Sequence, residues 1–121
     1  MAYKLVVGGQ LNKDEIAKQI KELSTQEITV DVKSDLDAAM AVKNGDYDYY
    51  VGACETGAGG ALAMATALIG SDKTVTVASP SKMLDEDEII NEINNGKVAF
   101  GFTANTTDSV LPAIVKGLDN K

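Results

Sequence analysis

The single cysteine of the chain, Cys54, lies between an apolar run, residues 49–53, and a glycine-rich stretch, residues 57–60. This order predicts a buried strand, a tight turn and then a helix of small apolar residues. Glycines let the backbone approach a ligand closely, and the first amides of a helix have no partner within it. Such a turn is suited to hold a small anion. The positive helix end would favour the thiolate of Cys54, whereas the carboxylate of Glu55 would oppose that charge.

Plainer interpretations of these residues stay open. A glycine-rich turn also lets an alanine-rich helix lie close against a sheet, and lone cysteines are commonly inert, buried residues. However, the glycines of residues 57–60, the Thr56 hydroxyl and a cysteine at the end of the strand together exceed what packing requires. The spacing matches neither the dinucleotide fingerprint nor a Walker loop. We therefore predict a small-ligand site of another kind.

The composition narrows the choice of ligand. The net charge is −7 and the pI is near 4.4, so the field of the protein would repel nucleic acid or an anionic membrane surface. The chain contains neither arginine nor histidine. One chain therefore cannot supply a guanidinium clamp, a cysteine–histidine pair or histidine metal ligands. We expect a small anionic metabolite held by amides and lysines, with no metal and no cofactor.

The cysteine count and the apolar runs bear on the cellular compartment. One cysteine cannot form an intramolecular disulfide, and the first residues run straight into a strand without a signal segment, so we expect a cytoplasmic protein. The apolar stretch of residues 57–70 is shorter than the roughly 20 residues that cross a bilayer, and no membrane insertion is expected. A chain of 121 residues can bury one core, and we predict one α/β domain over residues 1–121.

Periodicity and capping residues predict five strands that alternate with five helices. Asn12 and Ser34 are predicted to cap the first two helices, and Leu36, Ala39 and Met40 to face inward from the second. The acidic run of residues 85–88 suits the first turn of the fourth helix, where the helix dipole favours negative charge. The predicted strands are residues 3–7, 27–32, 49–53, 74–78 and 98–102.

Strict alternation implies a parallel sheet with helices on both faces. We predict a Rossmann-like three-layer α/β sandwich whose five strands follow the flavodoxin-like order 2-1-3-4-5, with the switch point between strands one and three. The turn after strand one would then face the Cys54 turn, and the loops after strands four and five would complete the wall. The predicted ligand-binding residues are Gly8, Gly9, Gln10, Glu55, Thr56, Gly57, Ala58, Gly59, Gly60, Ser79, Ser81, Lys82, Thr103 and Asn105.

Two segments carry a resemblance to known families. Residues 44–59 (NGDYDYYVGACETGAG), with Lys97-Val98-Ala99-Phe100-Gly101 later, resemble an uncharacterised bacterial family, the YhfU-like domain of unknown function, and the likeness runs the length of the chain. More distantly, residues 54–59 and 98–101 are similar to a Cys-Gly-Thr-Gly-x-Gly turn and an Ala-Phe-Gly strand. Those two motifs belong to the ribose-5-phosphate isomerase B and galactose-6-phosphate isomerase family.

The more distant resemblance implies an aldose–ketose isomerase-like activity. In that family the cysteine after the third strand is the base, which implies that Cys54 is the catalytic residue. The family's glycine turn stabilises the enediolate, which assigns an anion hole to Thr56, Gly57 and Gly59. The present chain lacks the family's Asp-His turn after strand one and its phosphate-binding arginines. We also expect the Cys54 thiol to be accessible, because it ends a strand at the mouth of the crevice.

Two other functions stay open. The cysteine-phosphorylated B subunits of sugar phosphotransferase systems are similar small α/β domains with a glycine-rich loop, but their cysteine follows the first strand. A non-enzymatic metabolite-binding or regulatory subunit would need the anion site and no base. Because lysines are the only positively charged side chains in the sequence, we expect a homo-oligomer in which a neighbouring copy adds a lysine to the turn amides and Lys82. The small residues of the predicted helix 61–68 would allow another chain to approach closely.

Overall fold

The computed structural model describes residues 2–54 and 62–121 of the chain. The predicted ligand-binding residues Glu55, Thr56, Gly57, Ala58, Gly59 and Gly60 lie outside the described residues. The helices are α1 (Lys13–Leu23), α2 (Asp35–Lys43), α3 (Ala63–Ile69), α4 (Glu86–Asn94) and α5 (Thr107–Asp119). The strands are β1 (Tyr3–Gly9), β2 (Ile28–Val32), β3 (Tyr49–Cys54), β4 (Thr74–Thr76), β5 (Ala78–Ser79), β6 (Lys82–Met83) and β7 (Ala99–Thr103).

One parallel sheet holds five of these strands, in the order β2-β1-β3-β7-β4. In the register of the central strands, Val7 lies beside Val51 and Val51 lies beside Phe100. Apolar residues on both faces keep β1, β3 and β7 buried along nearly their whole length, as expected for parallel strands covered on two sides. The predicted three-layer α/β sandwich is confirmed.

The last two strands of the sheet exchange places relative to the predicted order 2-1-3-4-5. Counted within this sheet, the fifth strand (β7) lies between the third and the fourth. β7 reads Ala-Phe-Gly-Phe-Thr and is buried throughout, whereas β4 reads Thr-Val-Thr and only its first residue is buried. A continuous apolar strand loses more burial at a sheet edge than a short polar strand does. The composition of the two strands therefore explains the exchange.

The helices form one layer on each face of the sheet. On one face α5 contacts both α1 and α4, over a large core that includes Ile16, Phe100 and Ile114. α2 and α3 contact each other on the opposite face, over a smaller core that includes Val6 and Tyr50. The two cores share no residue because successive side chains of a strand point to opposite faces.

The predicted helix caps form to different degrees. Ser34 caps α2, since its hydroxyl accepts a hydrogen bond of 3.1 Å from the Asp37 N–H. Asp85 and Glu88 form a reciprocal capping box at the start of α4. Asn12 precedes α1 with a left-handed φ of 56°, and its side chain makes no capping bond. The first helix therefore begins without the predicted side-chain cap.

The inward face of α2 is lined by small residues. Ala38, Ala39 and Ala41 are buried, while Leu36 and Met40 are 49% and 36% exposed. The prediction that these two larger side chains face the core is therefore wrong. An alanine face lets the helix approach the sheet, as the 2.8 Å between the Ala38 Cβ and an ideal Cβ built on Gly8 shows.

A short hairpin replaces part of the predicted fourth strand and the loop after it. β4 ends at Thr76, and β5 and β6 then pair antiparallel, with Ala78 beside Met83. The Leu84 N–H donates a 2.8 Å hydrogen bond to the Val77 carbonyl and closes this hairpin. It extends beyond the carboxyl end of β4, at the edge of the sheet.

Candidate functional site

The carboxyl ends of three neighbouring strands, β1, β3 and β7, meet at the candidate site. Gly9 lies beside Ala53, and Cys54 lies beside Thr103. From β1 the chain crosses to β2 on one side, and from β3 it crosses to β4 on the other. The switch point is therefore between β1 and β3, as the sequence predicted, with Cys54 near its centre.

Internal hydrogen bonds occupy the turn after β1. Gly9 has a φ of 74°, and a Cβ there would come 2.7 Å from the Ala53 nitrogen, so the position requires glycine. The Gly9 N–H donates to Asp35 Oδ1 over 3.2 Å. The N–H groups of Gln10 and Leu11 both donate to the Ala53 carbonyl, over 2.9 and 3.2 Å. The exposed side chain of Gln10 is the group that extends from this turn.

The Cys54 side chain is 1% exposed. The expectation of an accessible thiol is therefore wrong for this structure. Because side chains alternate along a strand, Tyr50, Gly52 and Cys54 all point to the face that α2 and α3 cover. A residue that reacts with or contacts Cys54 must therefore approach from that face or from the carboxyl end of β3.

Thr103 and Asn105 follow the same strand but differ in environment. Thr103 is buried and its hydroxyl donates to the Thr106 hydroxyl over 3.2 Å. The Thr106 hydroxyl in turn donates to the Thr103 carbonyl over 2.7 Å. Asn105 is exposed in the short 3-10 turn that precedes α5. Of the two, Thr103 is the one that borders Cys54.

Ser79, Ser81 and Lys82 lie on the β5–β6 hairpin. The two serine hydroxyls are 3.4 Å apart, and the Ser79 hydroxyl donates to the Lys82 carbonyl over 3.3 Å. Because β7 lies between β4 and β3, two strand spacings, about 10 Å, separate this side of the sheet from β3. The exchange of strands thus places Thr103 beside Cys54 and moves the hairpin to the flank.

The structure adds Asp35 and Tyr50 to the site. Asp35 is the first residue of α2, and its Oδ1 accepts hydrogen bonds from the Gly9 N–H and the Tyr50 hydroxyl. An ideal Cβ on Gly8 would come 2.6 Å from the Tyr50 ring, and one on Gly52 would come 3.0 Å from its hydroxyl. Glycines at both positions leave room for the ring to lie along β3 toward Cys54. The aromatic-x-glycine-x-cysteine alternation in β3 was the sequence signal for this arrangement.

Tyr50 keeps its proton at neutral pH. Burial, and then the hydrogen bond to Asp35, raise the pKa of Tyr50 above its ordinary value. The electrostatic effect of Cys54 raises the pKa of Tyr50 further. The Tyr50 hydroxyl therefore donates to Asp35.

A separate open groove of about 680 Å³ lies between β2 and α2. Lys4, Asp31, Lys33 and Tyr47 are among its lining residues, and neither Gly9 nor Cys54 is. We place the candidate site at the strand ends because the backbone topology converges there. Within residues 2–54 and 62–121, no acidic or cysteine side chains cluster as metal ligands would.

The fold and the strand-end site together define a three-layer α/β protein with a candidate ligand site at its switch point. Residues 3–118 match the family described as protein of unknown function DUF2620, and the chain belongs to this family. It is also similar to the Uncharacterized protein YhfU of Escherichia coli strain K12 and of Shigella flexneri. Each is 39% identical over 115 residues, which cover 95% of this chain and 97% of the relative. The YhfU-like resemblance is confirmed.

Two solved structures share the fold. The type B ribose 5-phosphate isomerase of Trypanosoma brucei has a TM-score of 0.71 and 15% identity, covering 98% of this chain and 86% of that one. The type B ribose 5-phosphate isomerase of Trypanosoma cruzi has a TM-score of 0.72 and 15% identity, covering 96% and 84%. At this identity the likeness shows the fold. No helix in the described part of the present chain is long and apolar enough to cross a membrane.

Proposed function

We propose that this protein binds a small anionic, sugar-phosphate-like metabolite at the carboxyl ends of β1, β3 and β7. The observation that carries the proposal is the meeting of Gly9, Cys54 and Thr103 at the switch point of the sheet. Ligands of doubly wound α/β proteins bind at this place. Two solved structures with the same fold are type B ribose 5-phosphate isomerases, and this supports the choice of a sugar phosphate.

The anionic group of the ligand is assigned to the glycine-rich segment 57–60. The amides of Gly9 and Gln10 already donate within the protein, so they are not available to an anion. A glycine-rich sequence before a helix is a common source of clustered amides, and residues 57–60 follow Cys54 closely in the sequence. Lys82, on the flanking hairpin, is the residue of the predicted set that carries positive charge.

An isomerase-like reaction at this site would use Cys54 as the base. Its thiolate would take the proton from C2 of an open-chain aldose phosphate and return it to C1, while a proton passes from O2 to O1. The aldose then becomes a ketose with no other reactant. In this version of the proposal, Cys54→Ala abolishes isomerisation of D-ribose 5-phosphate and leaves its binding in place.

Binding without turnover is the second candidate function. The observation in its favour is the burial of Cys54, at 1% exposure, in a chain that contains no histidine to act as a second acid or base. The phosphocarrier alternative meets the same difficulty, because a cysteine that is phosphorylated must be reached by a donor protein. A metabolite-binding or regulatory subunit requires only the strand-end site.

The proposal includes a homo-oligomer whose neighbouring copy supplies a lysine to the anion. α2 and α3 pack side by side and expose Leu36, Met40 and Met64 by 49%, 36% and 43%. Apolar side chains on adjacent helices suit contact with a second copy of the chain. Light scattering over a concentration series, with and without sugar phosphate, tests this part. A strict monomer that binds the ligand tightly would refute a shared site.

The experiment that tests ligand binding combines calorimetry with amide chemical shifts. D-ribose 5-phosphate and inorganic phosphate are expected to bind, and D-ribose, which lacks the anion, is expected to bind more weakly than its phosphate. The amide shifts of Gly9, Ala53, Cys54 and Thr103 should change on titration, whereas that of Ser24, at the opposite end of the sheet, should not. No binding, or shifts confined to the opposite end, would overturn the proposal.

A further inference from the structure

Asp35 places a carboxylate beside the turn that follows β1. It lies three residues beyond the end of β2 and is half-buried. Its Oδ1 accepts both the Gly9 N–H, over 3.2 Å, and the Tyr50 hydroxyl. Within residues 2–54 and 62–121, Oδ2 makes no hydrogen bond. Among the described residues the carboxylate is thus held by one oxygen at the β1 side of the crevice, and Oδ2 has no partner among them.

Tyr50 fixes the orientation of this carboxylate. Its side chain is fully buried and lies against two glycines, since a Cβ on Gly8 would come 2.6 Å from the ring and one on Gly52 would come 3.0 Å from the hydroxyl. The ring confined in this way directs its hydroxyl toward Asp35. Tyr50 therefore acts through Asp35 and is a positioning residue.

The chemistry of a carboxylate selects the ligand group that it meets. An ionised carboxylate only accepts hydrogen bonds, so its partner must donate, as an alcohol hydroxyl does. A phosphate oxygen is repelled by the same charge. Resting on the proposed function, we propose that Asp35 recognises a hydroxyl on the carbon chain of the ligand. The anionic group then lies on the far side of Cys54, away from Asp35, and the ligand class is a polyhydroxylated phosphate with a fixed orientation in the crevice.

The chain supplies matched variants for the test. Asp35→Asn retains Oδ1 for Gly9 and Tyr50 but replaces the outward oxygen by an amide nitrogen, which donates. The control is Asp31→Asn, because Asp31 also accepts a tyrosine hydroxyl, that of Tyr47, and the substitution removes the same charge from an exposed position. Tyr50→Phe and Tyr47→Phe form the second matched pair. Each variant is first shown to fold by its circular dichroism and its unfolding transition.

Calorimetry with D-ribose 5-phosphate and inorganic phosphate separates the possible results. Asp35→Asn is expected to weaken sugar-phosphate binding about 10-fold or more, while phosphate binding stays equal or becomes tighter. Tyr50→Phe should act in the same direction with a smaller effect, and Asp31→Asn and Tyr47→Phe should change neither ligand by more than about 2-fold. An equal effect of Asp35→Asn on both ligands, or none on the sugar phosphate, would overturn this inference alone. A wild-type protein that binds neither ligand would overturn the proposed function together with it.

Discussion

The two ends of the sheet each contain an aspartate that accepts a hydrogen bond from a tyrosine of a central strand. At the amino end, Asp119 accepts the hydroxyl hydrogens of Tyr3 and Ser24, each over 2.7 Å, and the Thr25 N–H over 2.9 Å. Both of its oxygens are engaged. At the carboxyl end, the Oδ1 of Asp35 carries both hydrogen bonds that the described residues make to it. At the amino end both carboxylate oxygens thus accept hydrogen bonds, whereas at the carboxyl end the described residues engage only one.

This difference separates a structural carboxylate from a candidate ligand-binding one. Asp119 is the last residue of α5, and its partners lie at the start of β1 and in the loop before β2, so it fastens three segments together. Asp35 lies where the parallel strands end, which is where ligands bind in such sheets. A pair of residue types therefore does not reveal its role. The role is indicated by the number of acceptor positions that the described residues leave open and by the end of the sheet at which the carboxylate lies.

The largest expected effect concerns two glycines at opposite ends of the sheet. Gly9→Ala should lower the free energy of unfolding by at least about 2 kcal/mol, because a left-handed φ strains alanine and its Cβ would come 2.7 Å from the Ala53 nitrogen. Gly45→Ala, at the opposite end, has a φ of 84° with no atom within 4 Å of the added Cβ. It should cost only about 1 kcal/mol. Urea unfolding measures both, and equal losses would show that β1 and β3 separate easily.

A second test removes the amino-end carboxylate. Asp119→Ala should lower the free energy of unfolding by about 1–3 kcal/mol, because Tyr3 and the Thr25 N–H lose their acceptor. Sugar-phosphate binding should not change, since the site lies at the other end of the sheet. Urea unfolding and calorimetry give the two readouts. If ligand affinity fell while stability held, the assignment of roles to the two ends would be wrong.

Acid unfolding should report on the Asp119 carboxylate at the amino end of the sheet. Burial acts to raise the pKa of Asp119, but hydrogen bonds from Thr25, Tyr3 and Ser24 outweigh it, so the pKa is lowered below 3.8. A carboxylate whose pKa is lower in the folded state stabilises the protein above its unfolded pKa. That stability should be lost as the pH falls from about 4 through the folded pKa. In Asp119→Asn the unfolding free energy should decline less steeply over this range, and an unchanged slope would contradict the prediction.

The smallest expected effect is the loss of unfolding free energy when either of two tyrosine hydroxyls is removed. Tyr3→Phe should cost about 1 kcal/mol, because the Tyr3 hydroxyl is half-enclosed with Asp119. Tyr47→Phe removes an exposed hydrogen bond to Asp31 and should change the free energy of unfolding by less than about 0.5 kcal/mol. Thermal and urea unfolding of both variants measure the contrast. A larger loss for Tyr47→Phe would mean that the edge strand β2 depends on this surface contact.

Local patterns predicted the elements with few errors. Ser34 and the Asp85–Glu88 pair form the caps that their spacing indicated, because capping depends on residues within one helical turn. Leu36 and Met40 were assigned to the core from their helical spacing, yet alanines fill it. Ala38 against Gly8 of β1 allows the closer approach. Periodicity predicts which face of a helix is buried, whereas the distance between the helix and the sheet depends on the residues of both.

By itself, the sequence determined the alternation of strands and helices, the parallel sheet and the switch point beside Cys54, because these follow from periodicity and the rules of chain connection. Tertiary structure alone decided three things: the exchange of β4 and β7, the burial of Cys54 and the meeting of Asp35 with Tyr50. The place of a strand within a sheet depends on competition between strands for burial on two faces. The meeting of Asp35 and Tyr50, 15 residues apart, depends on space left by Gly8 and Gly52. Both are properties of the assembled core and not of any one segment.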